Sequence, residues 1–379
     1  MKHSSYDFFH RQHINSLTGL RFIAAFFVFL YHAASENIFS DHVIGNAFKW
    51  VFSSSGFIGV SFFFCLSGFV LSWSHQPGIK TGQFLLRRIA RIYPNHLITA
   101  VIAIVLIIWT GPLLPGGETF SGIIPNILLI QTWIPDPYTF ISLNGVSWSL
   151  SCELTFYVCF PFVYTILTKL SSNVLTATLI GIIALVILMP CFSATLPLKP
   201  LLPWKPESMY AYWFIYLFSP VRMLEFTSGV IIACLVKRGN YHSIKVFPVI
   251  ILFITAWFGS IFNPSLYSYA AFTIIPVLML IAAFAISDIS GHSGTIGKPL
   301  FVTLGEWSFS FYLIHRLVLM FGHRLIGIGS QYSFTTGLLL IILAFALSLW
   351  GAKILFTFVE KPIVSLVKRT NSKKSEAAY

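Results

Sequence analysis

Polar residues break the chain at fairly regular intervals, and between the breaks run stretches of Phe, Ile, Leu, Val and Ala. A hydrocarbon core about 30 Å thick needs roughly 20 apolar residues of helix. Ten segments meet that need, at about 17–36, 56–76, 94–113, 147–168, 174–194, 212–236, 246–262, 269–287, 301–322 and 336–359. The pattern predicts an all-α integral membrane protein of about ten transmembrane helices. The connection 77–93 is different. Its apolar positions 84, 85, 89 and 92 lie to one side and Arg87, Arg88 and Arg91 to another, which predicts an amphipathic interfacial helix stopped before Pro94. The longest outside loop, 114–146, is rich in Pro and Gly, holds Glu118 and Asp136 but no Lys or Arg, and contains a short apolar stretch, 123–133, that reads as interfacial.

Composition removes the soluble alternative. Of 379 residues, 56% are hydrophobic and only 9% charged, against roughly 25% charged in an ordinary soluble domain. The formal charge of +12 raises the question of nucleic acid, but its distribution answers it. With the N-terminus in the cytosol, the inside segments carry about sixteen Lys and Arg, whereas the outside loops carry four: Lys49, Lys199, Lys205 and Arg324. That asymmetry places both termini in the cytosol and accounts for the charge without nucleic acid. The chain divides into a polar, uncleaved cytosolic tail at 1–16, a transmembrane domain at 17–362, and a basic cytosolic tail at 363–379, unstructured from Thr370. The five cysteines lie in or beside apolar stretches, with no disulfide framework and no metal-ligand spacing.

Ionisable residues inside the spans are where function is sought, because each costs at least a few kcal/mol unless paired or wet. Arg21 and His32 stand eleven positions apart in the first span, which on an α-helix puts them on nearly the same side and about 16 Å apart. A snorkelling Arg and a carbonyl-bound His would explain them structurally. His is also the side chain suited to take a proton from a hydroxyl near neutral pH. Glu153, in the fourth span, is either an arginine's structural partner or a group that orients an imidazole. Tyr312 and His315, three apart in the ninth span, share a face. Cys152 offers an acyl thioester or merely a small apolar side chain. Gly56, Gly59, Ser61, Ser67 and Gly68 in the second span suit close helix approach.

Six stretches in order resemble the signatures of membrane acyltransferase family 3. They are Leu-Thr-Gly-Leu-Arg21 with Tyr-His32, Gly59-Val-Ser-Phe-Phe-Phe-Cys-Leu-Ser-Gly68-Phe69, Arg88-Ile-Ala-Arg91-Ile-Tyr-Pro94, Trp148-Ser-Leu-Ser-Cys-Glu153, Tyr312-Leu-Ile-His315 and Val359-Glu360-Lys361-Pro362. The resemblance implies a bacterial cytoplasmic-membrane O-acyltransferase. It implies acyl-coenzyme A, acetyl in the usual case, as a donor reached from the cytosol, with no permanently bound cofactor. The acceptor it implies is a hydroxyl of an O-antigen, exopolysaccharide or similar glycan. On that reading His32, Glu153 and Arg21 are catalytic, Arg87, Arg88, Arg91 and Tyr93 hold the donor, and Ser67, Trp148, Ser151, Tyr312 and His315 line the substrate pocket. Thr18 and Ser61 stand where many members have Asp, so roles of those carboxylates do not carry over. The seventeen residues after Pro362 leave no room for the hydrolase-like domain that some members append. Anionic lipid headgroups would use the same arginines. A transporter or flippase would also bury Arg, Glu and His along a pathway, and a scaffold would leave His32 dispensable.

Overall fold

In the computed structural model, residues 14–376 are described, apart from 77, 112–119, 240–243, 264 and 328. All ten predicted segments are helical. The main helices are α1 (Asn15–Ser35), α2 (His42–Phe52), α3 (Ser55–Trp73), α4 (Thr81–Thr110), α5 (Trp148–Lys169), α6 (Ser172–Ser193), α7 (Ser219–Lys237), α8 (Val246–Ile261), α9 (Ile274–Ile289), α10 (Pro299–Ile326), α11 (Phe334–Leu355) and α12 (Lys361–Glu376). The sheet among the described residues is one small antiparallel hairpin, β1 (Leu201–Leu202) with β2 (Lys205–Ser208). Seven helical stretches are long and apolar enough to cross a membrane, and α8 and α9 are apolar but only 16 residues each. α10 has the length, at 28 residues, but carries Glu306, His315, Arg316, His323 and Arg324. The protein is an all-α membrane protein.

Helices α1, α3, α7 and α10 form the centre, α1 packing on α3 and α10, and α3 on α7. Small residues make this possible. A side chain on Gly68 would strike the Phe226 carbonyl and one on Gly229 would strike the Cys65 carbonyl, so α3 and α7 cross with backbones in contact. The peripheral helices turn apolar side chains outward, among them Ile180, Phe247 and Trp350 at 63%, 72% and 66% exposure. Such a surface is solvated by lipid rather than water.

Three local expectations change. The amphipathic turns at 81–93 do not stop at Pro94 but run unbroken through it to Thr110 as α4. Proline removes one backbone donor, and a helix inside a bundle tolerates that where neighbours satisfy the freed carbonyl. The segment after α4 is not a simple surface loop. It forms single turns at Ile123–Ile127, Gln131–Trp133, Pro137–Phe140 and Gly145–Ser147, with Asn126, Gln131, Thr132 and Asn144 fully buried. Asn126 Nδ2 donates to the Ser142 carbonyl at 2.8 Å and Asn144 Nδ2 to the Leu313 carbonyl at 2.8 Å, while Ile124, Leu128 and Trp133 point outward. Its polar side faces the bundle and its apolar side the surroundings; Glu118 lies outside the described residues. Finally, α12 continues helical to Glu376, through the part of the tail expected to lack structure.

Candidate active site

The charged residues of the spans gather at two levels of the bundle. At the first, Arg21 of α1 faces Glu153 of α5, Arg91 of α4 and Glu360, which follows α11. The charges nearest Glu153 are those of Arg21, Arg91 and Arg88, and its carboxylate accepts from the Tyr157 hydroxyl. Glu360 is 4% exposed. Its Oε1 lies 3.8 Å from Arg91 Nε, and its Oε2 accepts from Asn95 Nδ2 at 3.1 Å and Ser310 Oγ at 3.0 Å. Arg87 adjoins Arg88, whose guanidinium lies over the Phe84 ring at 5.4 Å. Four arginines against two glutamates leave a surplus of two positive charges here. The Nε atoms of Arg87 and Arg88 are buried and have no hydrogen-bond partner among the described residues. A guanidinium cluster with surplus charge suits phosphate oxygens.

Two adjoining cavities lead from this cluster into the bundle. The first is bordered by Arg88, Arg91, Ser67 and Tyr157, and the second by Ser149, Ser308 and Tyr312; Arg21, Glu153, Phe63 and Phe309 line both. The two cavities share those four residues as walls. Beside the second, the Tyr312 hydroxyl donates to the Val146 carbonyl at 3.1 Å and accepts from Ser149 Oγ at 3.0 Å. The Tyr312 ring lies 5.8 Å from that of His315.

The second level holds a pair of histidines. His32 Nδ1 stands 2.9 Å from His315 Nε2, and His315 Nδ1 stands 3.2 Å from the Phe311 carbonyl. A carbonyl only accepts, so His315 carries its proton on Nδ1 and presents a bare Nε2 to His32. His32 must then donate from Nδ1, which leaves its own Nε2 with the free lone pair. The His32 ring also bonds the Val28 carbonyl one turn earlier. The charge acting most strongly on His32 is that of Arg316, whose Nη1 binds Glu36 Oε1 at 2.8 Å. His323 Nδ1 binds the other Glu36 oxygen at 3.0 Å.

Of the two readings of Glu153, the fold assembles the one with arginine rather than the one with an imidazole: Glu153 joins the arginines, and His315 takes the place beside His32. Ser67 borders the first cavity. Trp148 packs at 4.7 Å on the Tyr216 ring. Ser151 is buried against Thr132, with 2.7 Å between the two hydroxyls. The Tyr93 hydroxyl donates to the Leu128 carbonyl at 3.2 Å. Cys152 is enclosed, its thiol on the Leu217 carbonyl at 3.3 Å, a packing role. Glu360 and Asn95 were not singled out as site residues in the sequence; the available signal was a Glu directly following an apolar span.

The family model described as an acyltransferase domain matches residues 14–356. The chain is 38% identical to Acyltransferase MdmB of Streptomyces mycarofaciens over 360 residues, covering 93% of this chain and 92% of that protein. It is 24% identical to Nodulation protein 10 of Rhizobium leguminosarum bv. viciae, over 84% of this chain and 85% of that one. It is also 23% identical to a Staphylococcus aureus (strain COL) protein provisionally named an O-acetyltransferase, covering 82% of this chain but 52% of the longer relative. No solved structure matches. With the domain matched from the start of α1 to the end of α11, the chain belongs to acyltransferase family 3.

Proposed function

We propose that the protein transfers an acyl group, acetyl in the simplest case, from cytosolic acyl-coenzyme A to a hydroxyl of a cell-surface glycan or its lipid-linked precursor at the bacterial cytoplasmic membrane. Arg87, Arg88 and Arg91 take the donor's phosphates, and the two cavities past Arg21 and Glu153 take its extended arm. The thioester arrives near Tyr312. His32 Nε2 accepts the proton of the acceptor hydroxyl as the oxygen attacks the thioester carbon. The carbon–sulfur bond breaks, and the proton passes from the imidazolium to the departing thiolate, which regenerates the base.

The observation that carries this reading is the histidine pair, 2.9 Å apart: with His32 Nδ1 donating to His315, the lone pair of the neutral His32 ring stands on Nε2, as a general base requires. The test uses protein in lipid nanodiscs with acetyl-coenzyme A, following thiol release, together with mass spectrometry of surface glycans from cells with and without the protein. Transfer should fall roughly 10²- to 10⁴-fold in His32→Ala while the variant remains inserted. Near wild-type turnover in that variant overturns the assignment. A transporter would use the same cavities, and it would move substrate with no release of coenzyme A.

A further inference from the structure

Beyond the histidine pair, away from the arginines, lies a group of tyrosines that the mechanism above does not use. Tyr31 adjoins His32, the two rings 5.2 Å apart. Phe57 bridges from Tyr31 at 5.2 Å to Tyr216 at 5.1 Å, and Tyr212 lies 5.4 Å from Tyr216. The phenol groups of Tyr31, Tyr212, Tyr216 and Tyr312 stand within electrostatic range of one another. The Tyr31, Tyr212 and Tyr216 hydroxyls make no hydrogen bond to any described residue, and none is sealed from solvent. Three hydroxyls without protein partners, carried on rings that pack into one aromatic cluster beside His32, are left free to bond a ligand.

Local structure brings two of them together. Tyr216 lies in a π-helical turn, Trp213–Leu217, that directly follows the single α-helical turn carrying Tyr212. An inserted π turn shifts side-chain register, and such turns occur often at functional sites. The hairpin β1–β2 lies beside them, with Tyr269 donating to Glu207 Oε2 at 2.8 Å.

Charge narrows the ligand. Three cations border the patch, and each has an acid: Lys205 with Glu207 at 2.6 Å, Arg222 with Glu225 at 3.0 Å, and Arg316 with Glu36 at 2.8 Å. An anionic ring would meet no uncompensated cation. A neutral ring needs no such cation, and it meets phenols that both donate and accept for its hydroxyls.

We infer that Tyr31, Tyr212 and Tyr216 form the acceptor subsite and that the sugar residue it binds is a neutral glycoside, its reacting hydroxyl directed to His32. This deepens the transferase reading and rests on it.

The test is saturation-transfer NMR on the full chain in nanodiscs, using the p-nitrophenyl β-D-glucoside, β-D-galactoside and α-L-rhamnoside. The p-nitrophenyl β-D-glucuronide is the anionic comparison, and 4-nitroanisole controls for the aglycone. At least one neutral glycoside should bind about tenfold more tightly than the glucuronide and than 4-nitroanisole. The double variant Tyr212→Phe/Tyr216→Phe, which keeps both rings, should weaken it by about tenfold, as expected for two lost hydrogen bonds. Acetyl-coenzyme A affinity should be unchanged in the same sample, which excludes misfolding. Equal binding of the glucuronide, binding no better than 4-nitroanisole, or an unaffected double variant overturns the subsite. Loss of acetyl-coenzyme A binding by the wild-type protein would instead strike the transferase reading, and the glycoside result would be judged separately.

Discussion

An imidazole held at one nitrogen by a second imidazole is a sensitive arrangement, because the acceptor that fixes its tautomer is itself a rotatable side chain. His315→Ala removes that acceptor and lets the His32 ring turn. Turnover should fall, by up to about a hundredfold for a displacement on the order of 1 Å, with the Michaelis constant for acetyl-coenzyme A unchanged. A raised Michaelis constant at normal turnover would make His315 part of the donor site instead. Glu153→Gln is nearly isosteric and raises the positive surplus around the arginines. Donor binding measured by titration should hold or tighten while turnover drops; weaker binding would show that Glu153 chiefly keeps the arginines in place. Each of these residues was legible in the sequence, since a His or Glu inside an apolar span stands out. Their partners were not. His32 and His315 are 283 positions apart, and helical spacing relates only residues on one helix.

Elements were legible where hydropathy alone decides them, and all ten apolar segments are helices. Hydropathy does not decide where a helix continues through an amphipathic stretch, which is why α4 extends across Pro94. It also misses a segment whose polar side faces inward, as 123–147 does, because burial there is driven by hydrogen bonds such as those of Asn126 and Asn144. The α3–α7 crossing offers a test at this scale. Gly229→Val places a side chain against the Cys65 carbonyl, where no flexible atom can yield. The variant should lose roughly 1–3 kcal/mol of stability, read as a lower unfolding temperature in detergent. Gly181→Val on α6, where a new Cβ meets nothing within 4 Å, serves as the control. An unchanged Gly229→Val variant would mean that the two helices are less tightly apposed.

For the molecule as a whole, the distribution of Lys and Arg predicts the sidedness. In a background lacking the native cysteines, Lys80→Cys should react with an impermeant thiol reagent only after permeabilisation, and Asp136→Cys should react in intact cells. The reverse pattern would invert the topology and with it the direction of donor entry. Within that frame α1 has a property neither cluster has alone: it carries Arg21 at one level and His32 at the other on a single unbroken rod. The helix is thus a ruler. Its rise sets about 16 Å between the arginine that the donor's arm would pass and the base that would meet the acceptor hydroxyl, and no loop intervenes to absorb an error. A donor cut down to S-acetyl-N-acetylcysteamine should need far higher concentration for lack of its phosphates yet react once bound. Inserting four alanines between Val28 and Phe29 would stretch the ruler by about 6 Å with nearly the same facing, and coenzyme A release should stop although each end still finds its neighbours.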